Sequence, residues 1–299
     1  MSSRIQIGNA PVSYGAFERT VGIDDDLPEG KDVLDAVTAA GYRGIDLGPL
    51  GYLGSGTALG RGLADRGLLL TGAYLEVDVA SEAGRRRGTA DLVAMLDLFD
   101  SLDPVEPVLR PRPTVAVVAG EVSTDLVPEA DATTWQAAIS VLKELTSIAR
   151  DRGYEPCLHN EVGTLAAGPA QLEAAAEQAG VSLCVDTGHL LVAGGDPVDL
   201  LRRLRAIVGH VHVKDVSPEG LELMAAPAAV ATDVWEKSAF CRLGAGVGRI
   251  ADIASFLVES DYSGWVVVEQ DVLPRGSGGY RRAADDQVAN RAYLRRLGL

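Results

Sequence analysis

The stretch from Val181 to Val216 constrains the chain most. A short apolar run, Val181 to Val185, ends in Asp186. A glycine-rich turn follows, a helix opens at Asp196-Pro197, and a second apolar run carries His210, His212 and Lys214. Strand, helix and strand in one sheet imply parallel strands. Side-chain alternation puts His210, His212 and Lys214 on one face and Val211 and Val213 on the other. The valine face packs under helices. The opposite face then holds three polar groups in a sheet interior, where such groups need partners. A metal ion with a polar substrate is one way to supply them.

The same rhythm runs through the whole chain. Strands are expected at Arg4 to Ala10, Ile45 to Leu47, Leu68 to Val77, Thr114 to Ala119, Cys157 to Glu161, Val181 to Val185, the run through His212, and Trp265 to Glu269. Between and after them, apolar spacing predicts helices at Pro28 to Ala40, Leu59 to Arg66, Arg86 to Leu102, Thr134 to Arg152, Pro169 to Ala179, Ile250 to Glu259 and Tyr280 to Leu297. About eight alternations with no composition break point to one (β/α)8 barrel over residues 1–299, an α/β fold of TIM-barrel type. Residues 217–241 read as an insertion after strand seven and a candidate lid. An open doubly wound sheet prefers a phosphate-binding glycine motif after strand one, which Gly8-Asn9-Ala10-Pro11 does not supply.

Composition narrows the partners. A formal net charge of −15 disfavours nucleic acid and anionic membrane surfaces. No apolar run approaches the roughly 20 residues of a membrane span. The three cysteines form no CxxC pair, which argues against a disulfide framework and a structural zinc site. The N-terminal residues lack a charged-then-apolar leader layout, so a cytoplasmic location is expected. A small-molecule partner remains, and homo-oligomer formation stays open.

All four histidines, His159, His189, His210 and His212, lie on or just after an expected strand. In a barrel the C-terminal strand ends form the active face. Asp186 closes strand six, and Glu269 closes strand eight behind three valines. Helix capping is the other reading of Asp186, but Asp196 before Pro197 suits that role better. His212 is the preferred histidine ligand. On strand five, His159 and Glu161 share a face, and either can complete a metal site. Imidazole with carboxylate suits Mn²⁺, Co²⁺, Zn²⁺ or Fe²⁺, and Mg²⁺ less well. His210, one pleat deeper, reads as a supporting or substrate contact, and Cys184 as core. Lys214 can hold a substrate oxygen, or act as a base if desolvation lowers its pKa. His189, past a glycine that lets the chain fold back, and Glu161 are the other candidate bases. The run Gly244 to Gly248 follows strand seven, where barrels often bind phosphate; tight-turn glycine is the alternative.

At these residues the chain resembles the sugar phosphate isomerase/epimerase superfamily, the xylose isomerase-like barrels, and within it the inosose dehydratase branch. The resemblance covers nearly the whole chain. It is carried by Asn9 to Gly15, Asp46 to Tyr52, Asp186 to His189, Gly194 to Pro197, His210 to Asp215 and Glu269 to Asp271. It implies a divalent metal, Mn²⁺ first, bound by an acid on strand five, an acid on strand six, a histidine on strand seven and an acid on strand eight. The last three fall on Asp186, His212 and Glu269. His189 matches a substrate-contacting position. Asn9, His210 and Asp271, within the matching motifs, are expected to contact substrate, as is Asp46, which stands where many relatives carry Glu. Strand five departs: the usual acid position holds His159, with Glu161 two residues later, which counts against a two-glutamate epimerase. The implied activity is a metal-dependent lyase or isomerase of a keto-sugar or keto-cyclitol. It would abstract a proton beside a carbonyl and pass through a metal-stabilised enediolate, with dehydration ranked above isomerisation or epimerisation. A metal-dependent phosphodiesterase and a non-catalytic carbohydrate-binding barrel are the other classes, the former disfavoured by the net charge and by only four histidines.

Overall fold

The computed structural model describes residues 4–24, 26–276 and 278–299. Eight parallel strands follow the expected order: β1 (Ile5–Asn9), β2 (Gly44–Ile45), β3 (Leu69–Leu70 and Gly72–Asp78), β4 (Arg112–Val118), β5 (Cys157–His159), β6 (Ser182–Asp186), β7 (Val208–Val213) and β8 (Gly264–Val268). The two segments of β3 close the sheet. Leu69–Leu70 pairs with β2, and Gly72–Asp78 pairs with β4. Thr71 between them bonds both ways: its N–H donates to Ile45 O, and its carbonyl accepts from Arg112 N, each at 3.0 Å. With β1 joined to β2 and β8, the result is a single-domain TIM barrel.

The strands read as valine runs because both faces of a parallel barrel strand are covered. Val211, Val213, Val266 and Val268 point outward into the core beneath the helices. Trp265 and Val267 point inward and pack with Ala10 below the site. A Cβ at Gly44 would lie 2.8 Å from the Trp265 indole, so glycine makes room for this floor.

Caps move several boundaries. The Ser81 hydroxyl accepts from Gly84 N and starts a helix at Glu82 rather than Arg86, and Asp131 starts the next at Ala132 rather than Thr134. The expected turn after Asp186 is a helix, Thr187–Val192, and Asp186 Oδ1 caps it by accepting from His189 N at 2.9 Å. Asp196 also caps, accepting from Val198 N and Asp199 N at 2.9 and 3.1 Å. The contrast drawn between the two acids therefore fails: both are caps, and Asp186 keeps its second oxygen for the site.

Strand β5 stops at His159, so Glu161 does not continue the pleat as expected. The cause is Asn160, whose side chain turns onto β6. Its Nδ2 donates to Asp186 O at 3.0 Å, and its Oδ1 accepts from Asp186 N at 2.9 Å.

The segment 217–241 holds helices Pro218–Met224 and Asp233–Glu236. It returns as Phe240–Cys241, antiparallel to Asp215–Val216. Val234, Trp235 and Phe240 join Val162 and Val216 in a second apolar cluster at the C-terminal end of the barrel. Phe17, from the loop after β1, meets Trp235 edge-on at 6.0 Å. Among the described residues no helix is long and apolar enough to cross a membrane.

Candidate functional site

Parallel register sets the ends of β5 to β8 at one height: His159 pairs with Cys184, Asp186 with His212, and His212 with Val267. The polar ends then converge inside the barrel. Asp186 Oδ2 lies 3.7 Å from His159 Nε2 and 3.8 Å from His212 Nδ1. His212 Nδ1 lies 3.2 Å from His159 Nε2 and 3.2 Å from Glu269 Oε2. Nitrogen and oxygen ligands at about 2.1 Å from a tetrahedral ion stand about 3.4 Å apart. These four separations bracket that spacing, and the donor set is the mixed imidazole and carboxylate type.

His212 also takes part in two neighbouring clusters with metal-ligand spacing, Asp46–His212–Glu269 and His159–Cys184–His212. Its Nε2 lies 3.8 Å from Asp46 Oδ2. Burial pushes the Asp46 carboxyl up to about 7, with His212 partly offsetting it. Cys184 is buried as expected, and burial lifts its thiol to about 11, so it offers a protonated sulfur rather than a thiolate.

Lys214 reaches into the same group. Its Nζ lies 3.1 Å from Asp186 Oδ2, 3.1 Å from Glu269 Oε2, and 2.9 and 3.0 Å from the two oxygens of Asp271. Burial alone would lower its pKa, but Asp186, then Asp271 and Glu269, hold it well above the ordinary lysine value. The condition under which Lys214 was expected to act as a base, a pKa lowered by desolvation, is not met with these three carboxylates around its ammonium. In return, Asp186 stays well below the ordinary carboxylate range: burial opposes this, but Lys214 and His189 outweigh it. Glu269 is lowered too, with burial outweighed by His212 and Lys214.

His189 sits on the short helix after β6, its Nε2 3.4 Å from Asp271 Oδ2 and its Nδ1 buried without a hydrogen-bond partner. Phe240 was not legible as a site residue. Its ring centre lies 5.2 Å from the His189 ring and 5.2 Å from Lys214 Nζ, delivered there by the strand that closes segment 217–241. Only long-range strand pairing brings it in, and that leaves no local motif. His210 lies one pleat deeper, its ring 5.1 Å from that of His212 and both its nitrogens buried without partners. Burial, then His212, drives its pKa well below the ordinary value, so it is neutral.

Glu161 is half-buried at the mouth, apart from the tight donor groups. It neighbours Tyr74 and two further acids, Glu18 and Glu76. Desolvation, and repulsion involving Glu161, raise both Glu18 and Glu76.

Two expectations need correction. Asn9 does not face the site. Alternation along β1 sends its side chain outward, where Nδ2 donates to Gln287 Oε1 at 3.0 Å within a buried amide network of Gln270, Gln287 and Asn290. The run Gly244 to Gly248 is not free to hold phosphate, because its amides are taken by Asp215. A cavity of about 570 Å³ does exist, lined by Leu63, Leu68, Phe99 and Arg110, but it opens at the opposite end of the barrel from the converged side chains.

Comparison with known proteins agrees with this architecture. A family model described as xylose isomerase-like TIM barrel matches residues 34–295. An inosose dehydratase of Bacillus thuringiensis (strain Al Hakam) is 30% identical over 143 residues, 47% of this chain and 48% of that protein. The match thus spans about half the length of the curated relative. Among solved structures, the IOLI protein with a bound zinc atom superposes with a TM-score of 0.71 at 15% identity, covering 97% of this chain and 96% of that one. The probable 3-DHS dehydratase AsbF of Bacillus anthracis gives 0.68 at 14% identity, covering 97% and 98%. At these identities the likeness concerns the fold.

Proposed function

The chain belongs to the xylose isomerase-like TIM-barrel family, and from that premise we propose that it is a divalent-metal-dependent dehydratase of a keto-cyclitol or closely related keto-sugar. The carrying observation is the convergence of His159, Asp186, His212 and Glu269 from four adjacent strands inside a buried cluster. The partial match to an inosose dehydratase supports the substrate class. His159 in place of a strand-five acid favours dehydration over a two-carboxylate epimerisation.

Those four residues would hold the ion, with Mn²⁺ as first candidate, and the bound ion would supply a Lewis acid that acidifies the proton next to the substrate carbonyl. The remaining roles belong to the chain. Asp271 holds His189 through Nε2, which leaves Nδ1 to take the proton from carbon. Lys214, kept charged by its carboxylates, gives a proton to the β-hydroxyl as the C–O bond breaks, so that water leaves. Glu161 and Glu76 accept hydrogen bonds from substrate hydroxyls at the mouth. Phe240 and the apolar cluster around it exclude water from Lys214 and His189. Because the donor residues are almost wholly buried, we assign segment 217–241 as a lid that opens where Phe17 meets Trp235.

The test is incubation of the Mn²⁺-loaded protein with inosose while following a dione chromophore. Appearance of the dehydrated product supports the reading. Turnover of a ketohexose with no product from cyclitols replaces it with isomerisation.

A further inference from the structure

A sulfur lies beside the two imidazoles. Strand β6 sends Leu183 and Val185 outward into the core beneath the helices, so alternation turns Cys184 into the barrel. Register sets it opposite His159 on one side and His210 on the other. Its thiol is a hydrogen-bonding neighbour of the His212 ring. The donor atoms of His159, Cys184 and His212 all lie within 4.8 Å of one another, and all three residues are buried. A tetrahedral ion with nitrogen ligands at about 2.1 Å and sulfur at about 2.3 Å needs donor separations of about 3.4 to 3.6 Å, which small side-chain rotations reach from here. Three protein donors suffice for such an ion, which can keep its fourth position open. Packing alone asks only for a small apolar side chain at this point; sulfur adds a soft donor.

We propose that His159, Cys184 and His212 form a second ion position, reaching one pleat below Asp186, that takes thiophilic divalent ions such as Zn²⁺ and Cd²⁺ in preference to Mn²⁺. The harder Mn²⁺ leaves the thiol protonated and relies on the carboxylates of Asp186 and Glu269. A thiophilic ion breaks the Cys184 S–H bond and forms a sulfur–metal bond, and the proton leaves to solvent with no change in oxidation state. Both positions use the same two rings, so only one ion is held at a time and thiophilic ions compete with Mn²⁺. The inference rests on the metal reading above insofar as His159 and His212 serve both positions. It does not depend on which substrate is turned over.

The experiment loads the chelator-treated protein with Co²⁺ or Cd²⁺ and records the near-ultraviolet thiolate-to-metal charge-transfer band, with Mn²⁺ affinity measured in parallel by calorimetry. Wild type should show the band, saturating at a single ion per chain. Cys157→Ala and Cys241→Ala should keep it, and Cys184→Ala should lose it. If Cys184→Ala does not fold, the band kept in the other two variants assigns it to the remaining thiol. Cys184→Ala should bind Cd²⁺ at least about tenfold more weakly than wild type, roughly 1.4 kcal/mol, with Mn²⁺ affinity unchanged. Binding of Co²⁺ and Cd²⁺ to wild type without the band, or a band that survives in Cys184→Ala, overturns the proposal. Mn²⁺ binding without the band sinks the sulfur position alone and leaves the dehydratase reading standing. No binding of any of the three ions sinks both.

Discussion

His159 Nε2 and His212 Nδ1 face each other across 3.2 Å, both rings buried and each from a different strand. Two ring nitrogens can approach this closely only if a proton or a cation lies between their lone pairs. In the metal-free protein the proton serves: burial disfavours charge on His212, but the hydrogen-bonding Cys184 sulfur and the Glu269 carboxylate hold its pKa well above the ordinary histidine value. The same pair is the core of the proposed metal site, so binding a divalent ion there displaces that proton.

Lys214 should carry much of the stability of the metal-free state. Its ammonium contacts Asp186, Glu269 and Asp271, all buried. Lys214→Met strands those charges, and removing one partner of a buried ion pair costs about 3–5 kcal/mol. Urea denaturation in the presence of a chelator measures this. Stability equal to wild type would mean that the lysine does not balance the acids.

Gly188 should be intolerant for a functional reason. A Cβ there would lie 2.6 Å from Lys214 Cβ and 2.8 Å from Phe240 Cε1. Gly188→Ala displaces the lysine and the ring beside His189, and displacements near 1 Å cost roughly a hundredfold in rate. Steady-state kinetics should show kcat falling far more than KM changes. An unchanged kcat removes Lys214 from the proposed chemistry.

The barrel was legible because β6, β7 and β8 are apolar runs that end in chemistry-bearing residues, Asp186, His212 and Glu269, and parallel register then aligns those ends. Asn160 was not legible as the residue that ends β5, because its partner is backbone on another strand. Nor was Phe240, which arrives through antiparallel pairing with Val216. The sign of the Lys214 shift also escaped sequence reading, since it depends on three carboxylates that only the closed barrel assembles. Asn9 misled because a motif does not say which face of its strand it occupies.

Asn9 should matter for folding and not for substrate. Asn9→Ala removes one of the two donors to the Gln287 side-chain oxygen, the other being Asn290 Nδ2, in a buried network, at about 0.5–1.5 kcal/mol. Chemical denaturation should report that loss while KM stays at the wild-type value. A raised KM with unchanged stability would return Asn9 to the substrate pocket.

Acid should weaken the barrel partly through Glu155. It accepts from Arg150 Nε and Nη2 at 3.1 and 2.6 Å and from Ser182 Oγ at 2.7 Å. Partial burial works to raise its pKa, but Arg150 and Ser182 outweigh it and lower the folded value. The contribution is therefore complete above the unfolded value, about 4.3, and is lost as pH falls through the lower folded value. Solvent screening keeps it below about 1 kcal/mol. Stability against pH should be flatter in Glu155→Gln on the acid side; an identical acid slope excludes this carboxylate as a contributor.

Calorimetric titration of the chelator-treated protein with Mn²⁺ tests the central claim most directly. The account predicts a single ion per chain, lost in Asp186→Asn, strongly weakened in His159→Ala and retained in Glu161→Gln. Absence of binding to wild type, or undiminished binding to Asp186→Asn, would contradict it.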